Sequence, residues 1–279
     1  KFDGVPGSRE GAHTLRVLFW YFFRTGEKST YRPHSPVGER VHTPCDFLTH
    51  FFSYKRKKRG NKHFYQAFSE EKQNKFTEVR KMQKLREVLI ERKTGETDIS
   101  LSLSVKDDCS KGSFEGTSGI GFFDHMLNSF AVHGGFDMKL ACKGDLHVDC
   151  HHTIEDVGIA LGAALNKVRG TGKGISRYAN ILLPMDEALC MCALDFSGRP
   201  FLVFDGEFSS DSIGGYDTQM TEEFFRAVAF NAGITLHIKI MYGKNDHHKT
   251  EACYKAFAKC ISQALKLVSD DVPSAKGML

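Results

Sequence analysis

Two short clusters constrain this chain more than any other feature. His151-His152-Thr153-Ile154-Glu155 returns near the end of the chain as His247-His248-Lys249-Thr250-Glu251. Each copy stands at the start of a segment with helical apolar spacing, and the elements around each copy recur in the same order. A repeat of roughly ninety residues present twice points to duplication of one α+β unit rather than to a solenoid. With the clusters in register and a two-residue gap before them, His125 falls opposite Glu223 and His133 opposite Asn231. Each half then offers one metal-capable side chain on its first helix and three on its second.

The coarse elements follow from pattern. "REVLIERK" and "ETDISLSLSVKD" alternate or run β-branched, and "KTG" between them is a hairpin turn. "DCSKGSFEGTSGIG" reads as a loop. "FFDHMLNSFAVHGG" is a helix closed by Gly134 and Gly135. "FDMKLAC" and "DLHVDC" read as a strand pair, and "HHTIEDVGIALGAALNKVRG" as a helix closed by Gly170. The second half runs through two strands in "ISRYANILLPMDEALCMCALDFSG" and a third in "RPFLVFDGEF". A helix ending at Gly233, the strand "ITLHIKIMYGKND" and a last helix "HHKTEACYKAFAKCISQALKLV" complete it. The halves span about residues 85–173 and 174–279 of a domain covering 81–279.

Residues 1–80 read differently. They hold turn formers, the basic run "KRKKRG" and 16 Lys/Arg against 8 Asp/Glu, with no sustained period until a charged helix expected from Ser69. We expect a disordered extension; a targeting role is the alternative, though its eight acidic residues argue against a clean transit peptide. A basic N-terminal segment joined to a net acidic remainder is not the charge pattern of a uniform nucleic-acid binder. The densest apolar stretch, "VLFWYFF", is too short to span a membrane. Eight cysteines without regular spacing or a CxxC pair fit reduced thiols in an intracellular, cytoplasmic protein.

At a helix start, residues i and i+4 share a face and i+3 lies close by. His151 or His152 can therefore meet one ion together with Glu155, while the adjacent histidine points about 100° away. Imidazole plus carboxylate favours Mn, Fe, Co or Zn over Mg or Ca. One HHxxE alone reads as a surface accident. Two copies at matching places do not, because burying those groups without a ligand is costly and exposing them leaves the repetition unexplained. The zincin pattern HExxH is absent, and Asp156 stands where the inverted form needs histidine. Lys255 lies one turn beyond Glu251, as a helical ion pair or as a phosphate ligand. Arg177 and Arg199 are further anion-binding candidates.

The motifs taken together resemble the imidazoleglycerol-phosphate dehydratase family, the lyases of histidine biosynthesis. The resemblance covers about Leu85 to Leu279. It rests on "TSGIGFFDHML", "KGDLHVDCHHTIEDVGIALGAAL", "LPMDEAL", "DFSGRPFLVF", "EEFFRAVAFNAGITLHI", "GKNDHHKTEACYKAFAK" and the terminal "PSAKGML". It implies a fold of two four-stranded-sheet/two-helix halves, ribosomal-S5-domain-2-like, with sheets packed on helices. It also implies removal of water from imidazole glycerol phosphate to give imidazole acetol phosphate, with two Mn ions per active site. In that chemistry the substrate imidazolate bridges the metals, its electrons expel the hydroxyl through a diazafulvene-like species, and a carboxylate takes the carbon proton.

Carried over position by position, the metal ligands are His125, His151, His152, Glu155, Glu223, His247, His248 and Glu251. Many family members have histidine where this chain has Glu223. The catalytic acid/base is Glu96. His133 lies near the substrate, and Arg177, Arg199, Lys255, Ser274 and Lys276 hold its phosphate. The usual "STKG" ending is "SAKG" here, with Ala275 replacing a threonine. The resemblance further implies a homo-oligomer, a 24-subunit shell with sites shared between subunits, so that two half-sites, one per repeat, supply two metals. Residues 1–80 match nothing in the family. Two other readings of the clusters stand beside this one: a different binuclear-metal phosphate-ester hydrolase, and a non-catalytic shell stapled by metal.

Overall fold

The computed structural model describes residues 86–106, 110–275 and 277. The expected extension over 1–80, the charged helix expected from Ser69 and Lys276 lie outside the described residues. Alternation builds the first sheet. In β2 (Thr97–Val105), Ile99, Leu101 and Leu103 are buried while Ser100, Ser102 and Ser104 are not, the period-2 pattern of a strand with one face on a core. It pairs antiparallel with β1 (Glu87–Lys93) on one side and with β4 (Phe136–Gly144) on the other. A short strand, β3 (Ser113–Thr117), runs parallel to β4 and gives the sheet order β1-β2-β4-β3. Parallel neighbours need a crossover, and α1 (Gly121–Gly134) supplies it. Gly135, at φ 74°, ends that helix, its N–H bonded to the Ala131 carbonyl. The first half then closes with α2 (His151–Arg169).

The second half repeats this plan. Strands β5 (Tyr178–Met185), β6 (Ala188–Asp195), β7 (Phe201–Asp205) and β10 (Thr235–Tyr242) form a sheet of order β5-β6-β10-β7, again with only the last pair parallel. The crossover from β7 to β10 carries α3 (Met220–Ala232), preceded by a two-residue-strand hairpin, β8 (Ser212–Ile213) and β9 (Tyr216–Asp217). The final helix is α4 (Asp246–Ala264). The fold is thus the duplicated α+β unit expected from the sequence.

Three local expectations are corrected. "DLHVDC" is not a strand: Val148 N–H donates to the Asp145 carbonyl at 2.8 Å in a turn. Leu146 and Val148 alternate as in a strand but are both exposed, and among the described residues no strand pairs with them. One strand, not two, therefore separates α1 from α2. The supposed loop at 108–121 contains β3, hidden in the sequence because it is short and interrupted by Gly116. The last helix ends at Ala264 rather than running to Val268.

The helices lie between the sheets. Helix α2 covers β1 and β2, α4 covers β5 and β6, and the helices then pair across the repeats, α1 on α4 and α2 on α3. Fully buried aromatic rings from both halves fill this layer, with Phe130 of α1 and Phe257 of α4 at 5.7 Å between centroids. The outer sheet faces keep large apolar side chains in the open, among them Leu89, Leu182 and Phe201. Helices α2 and α3 approach so closely that a Cβ on Gly162 would stand 2.6 Å from the Val228 carbonyl oxygen. Gly162→Ala gains about 0.5–1 kcal/mol of helix propensity but must force apart backbone, at a cost of about 1–3 kcal/mol. We expect a net loss of stability in urea denaturation; a variant as stable as the parent would contradict this close approach.

Candidate metal centre and its surroundings

Both histidine pairs open a helix for the same local reason. An Asx side chain two residues before the first histidine takes up its backbone N–H: Asp149 Oδ1 from His151 at 2.7 Å, and Asn245 Oδ1 from His247 at 2.9 Å. The first turn of each helix then presents His and Glu one turn apart. His151 Nε2 lies 3.7 Å from Glu155 Oε2, and His247 Nε2 lies 3.5 Å from Glu251 Oε2.

Packing of α1 on α4 brings a third group to the second pair. His125 Nε2 lies 3.7 Å from Glu251 Oε1, its ring centroid 5.4 Å from that of His247. Donor atoms of His125, His247 and Glu251 all fall within 4.8 Å of one another. Ligands that share an ion at about 2.0–2.2 Å stand roughly 3 Å apart or a little more, so these three residues fit a divalent transition ion. Two imidazoles with one carboxylate are also the donor set such an ion prefers. The group crosses the repeat boundary, with α1 from the first half and α4 from the second. The expectation gave one half-site to each repeat; here His125 of the first repeat stands beside the cluster of the second.

The surroundings hold the ligands still. Phe122 packs edge-on against His247 at 5.0 Å. The nearly buried Glu251 accepts from Lys255 Nζ at 2.8 Å and from Ser129 Oγ at 3.3 Å. Burial alone would raise the Glu251 carboxyl; Lys255, with His125 and His247 adding to it, brings it below the ordinary carboxylate range. Lys255 is thus the helical ion pair that its spacing allowed. His133, at the end of α1, is shifted down by burial first and then by Lys255 and Lys259, which favours its neutral form.

A second group gathers around His152. Its Nδ1 is 2.9 Å from Asp145 Oδ2 and its Nε2 is 3.7 Å from Glu96 Oε1. Glu96 ends the β1–β2 turn, where Thr94 Oγ1 accepts its N–H and that of Thr97. The turn is tied to α2 through buried Asp156, which accepts from Thr97 Oγ1 at 2.5 Å and Arg92 Nη2 at 2.7 Å. His248 is held in the same way in the second repeat, by Glu187 at Nδ1 (2.7 Å), with Asp186 3.6 Å from Nε2. The hydrogen bond from His248 and then the Asn245 N–H lower the Glu187 carboxyl to about 2.

The remaining candidates lie apart from these groups. Glu223 is bound by Arg226 of its own helix at 3.3 Å. Arg177 forms a fork with Asp195 at 2.7 and 3.1 Å and donates to the Pro273 carbonyl at 2.7 Å, next to Ser274. Arg199 approaches the same Asp195 at 3.9 Å. Arg177, Arg199 and the Ser274 segment therefore meet at one end of the second sheet. Sequence reasoning missed Asp145, Asp186 and Glu187. The signal for Glu187 was available: like Glu96, it is the last turn residue before its repeat's second strand.

The chain matches the family described as imidazoleglycerol-phosphate dehydratase over residues 118–261. It is 54% identical over 194 residues to the imidazoleglycerol-phosphate dehydratase of Acetivibrio thermocellus, covering 68% of this chain and 97% of that protein. It is 53% identical over 197 residues to that of Ruminiclostridium cellulolyticum, covering 70% and 100% respectively. Among solved structures, it resembles the Staphylococcus aureus dehydratase at 36% identity and a TM-score of 0.56, covering 65% of this chain and all of that one. The Pyrococcus furiosus dehydratase matches at 34% identity and a TM-score of 0.58, covering 68% of this chain and all of that one.

Proton and metal compete for the same imidazole nitrogen. His152 and His248 are raised above 6.5, first by the hydrogen bonds to Asp145 and Glu187. Their protonation on acidification therefore begins at higher pH than for a free imidazole. Divalent-metal affinity, measured by isothermal titration at stepped pH, should accordingly fall on acidification at a higher pH than it would with ordinary imidazole ligands. Constant affinity down to pH 5 would exclude these histidines as ligands.

Proposed function

The chain belongs to the imidazoleglycerol-phosphate dehydratase family, and we propose that it is a manganese-dependent hydro-lyase of histidine biosynthesis, converting imidazole glycerol phosphate to imidazole acetol phosphate. The observation that carries the metal dependence is the convergence of His125, His247 and Glu251 from two repeats. A second ion would draw on His151, His152, Glu155, His248 and Glu223, completed by another copy of the chain in a homo-oligomer of up to 24 subunits. The exposed apolar outer faces of the sheets support such an assembly. Cysteine thiols left free, including buried Cys190 and Cys253 at 3.5 Å, support a reducing, cytoplasmic setting.

Bound Mn would supply the Lewis acidity that favours the deprotonated form of the substrate's imidazole ring. The chain's own groups do the rest. Arg177, Arg199, Ser274 and Lys276 would hold the phosphate, with Lys255 joining them if substrate draws it from Glu251. Glu96 reaches out from a turn fixed to α2, its side chain about half exposed and facing His152. Its carboxylate would take the carbon-bound proton as the neighbouring C–O bond breaks and pass it to the departing hydroxide, which leaves as water; the resulting enol becomes the ketone as its O–H proton is lost and a proton is returned to the ring-side carbon. His133, in its neutral form, can hydrogen-bond substrate without repelling nearby Lys255.

The test is dehydration of imidazole glycerol phosphate by the full chain, metal-free and with Mn restored, with Glu96→Gln in parallel. We expect turnover only with Mn, and a loss of about 10²–10⁴-fold in kcat for the variant with Mn still bound. Mn binding without turnover in the parent chain would contradict the proposed activity.

A further inference from the structure

The two repeats share a fold but do not share the job of orienting their second histidine. The register makes the comparison definite. Leu101 faces Leu140 across β2 and β4 as Cys192 faces Ile238 across β6 and β10, all four buried. On that register Glu96, directly before β2, is the counterpart of Glu187, directly before β6. Equivalent glutamates on equivalent turns nevertheless have different surroundings.

In the first repeat, His152 Nδ1 is taken by Asp145, which directly follows β4. Glu96 is left beyond hydrogen-bond distance on the Nε2 side. In the second repeat a bulge between Ile240 and Tyr242 pairs Tyr242 with Leu189 as Lys143 pairs with Asp98, so Gly243 matches Gly144, Lys244 stands where Asp145 does, and the connection to the histidine pair is shorter. A Cβ at 243 would stand 2.8 Å from Ala188 Cβ and 2.7 Å from Lys249 Cγ. At the Asp145 position Lys244 brings a cation with no acceptor for an imidazole N–H, so the turn glutamate fills the role. Glu187 Oε1 accepts the N–H groups of Lys244 (3.1 Å) and Asn245 (2.8 Å), and Oε2 accepts from His248 Nδ1 at 2.7 Å. An ionised carboxylate only accepts, so the proton sits on Nδ1 and Nε2 is turned outward as the available ligand atom.

We propose that Glu187 is a positioning residue that fixes the His248 tautomer and the entry to α4, and that this engagement is why a duplicated turn yields a single proton-transfer glutamate, Glu96. The proposal rests on the dehydratase reading for the role of Glu96, whereas the role of Glu187 is tested through metal binding alone.

The experiment compares Glu187→Ala, Glu187→Gln and Glu96→Gln in the full chain. Mn affinity is read by isothermal titration, the His248 tautomer by ¹⁵N imidazole shifts of the metal-free protein, and folding by circular dichroism. We expect Glu187→Ala to lose about 10–100-fold in Mn affinity and its single tautomer while staying folded. Glu187→Gln, whose amide oxygen can still accept from Nδ1, should recover much of that affinity. Glu96→Gln should keep Mn affinity and the tautomer. Parental Mn affinity and tautomer in Glu187→Ala would overturn the proposal. So would Glu187→Gln behaving like Glu96→Gln, with turnover lost and metal binding intact. If Glu187→Ala does not fold, the Gln variant decides: a His248 tautomer or Mn affinity no better ordered than in a His248→Ala control overturns it. A parent chain without turnover would defeat the dehydratase reading and leave the Glu187 arms unaffected.

Discussion

Helix α1 carries His125 from the first repeat onto a helix start belonging to the second, and apolar packing holds it there. Phe130 stacks on Phe257, Phe123 meets Phe224, and Phe122 leans on the His247 ring itself. Buried aromatic contacts of this kind are the rigid part of a fold, worth about 0.5–1.5 kcal/mol each beyond the area they bury. The ligands therefore inherit their geometry from the helix layer. The same crossed pairing sets α2 on α3, with Gly162 allowing backbone contact. A duplicated unit that packed its own two helices together would have separated His125 from Glu251.

Around that layer, fixed charges govern the state of each ligand. Lys255 and Ser129 keep the Glu251 carboxylate ionised in a nearly buried place, where an unpaired charge would be costly. Asp145 and Glu187 turn the second histidine of each pair so that Nε2 faces outward. Asp156 ties the Glu96 turn to the helix that bears His152, so the proposed proton-transfer group and a proposed ligand share one support. One asymmetry between the repeats lies in the connection before the histidine pair, where Asp145 in one half corresponds to Lys244 in the other.

Much of this was legible in the sequence. The paired HHxxE clusters, the helix-ending Gly135 and Gly233 and the alternation of Ile99, Leu101 and Leu103 report local rules, and local rules can be read from one chain. The element β3 was not legible, because five residues interrupted by Gly116 carry too little pattern. Alternation misled at Leu146 and Val148, where period 2 existed without a partner strand. The pairing of α1 with α4 is a tertiary choice that no local period encodes, so an expectation of one half-site per repeat did not show that His125 stands beside the second cluster. Asp145 and Glu187 were missed for a related reason: a turn carboxylate becomes a histidine anchor only once a loop closes beside the helix start. Arg177 and Arg199 were found singly, yet their convergence on Asp195 next to Ser274 needed the fold.

The central claim is that residues from different repeats hold one ion together. The most direct measurement is a double-mutant cycle on Mn affinity, using His125→Ala, His247→Ala and the pair, each read by isothermal titration in the full chain. Ligands of one ion act as a unit, so the combined loss should fall well short of the sum of the single losses in free energy. Additive losses would mean that His125 and His247 serve separate sites, and the account of a metal centre assembled across the duplication would be wrong.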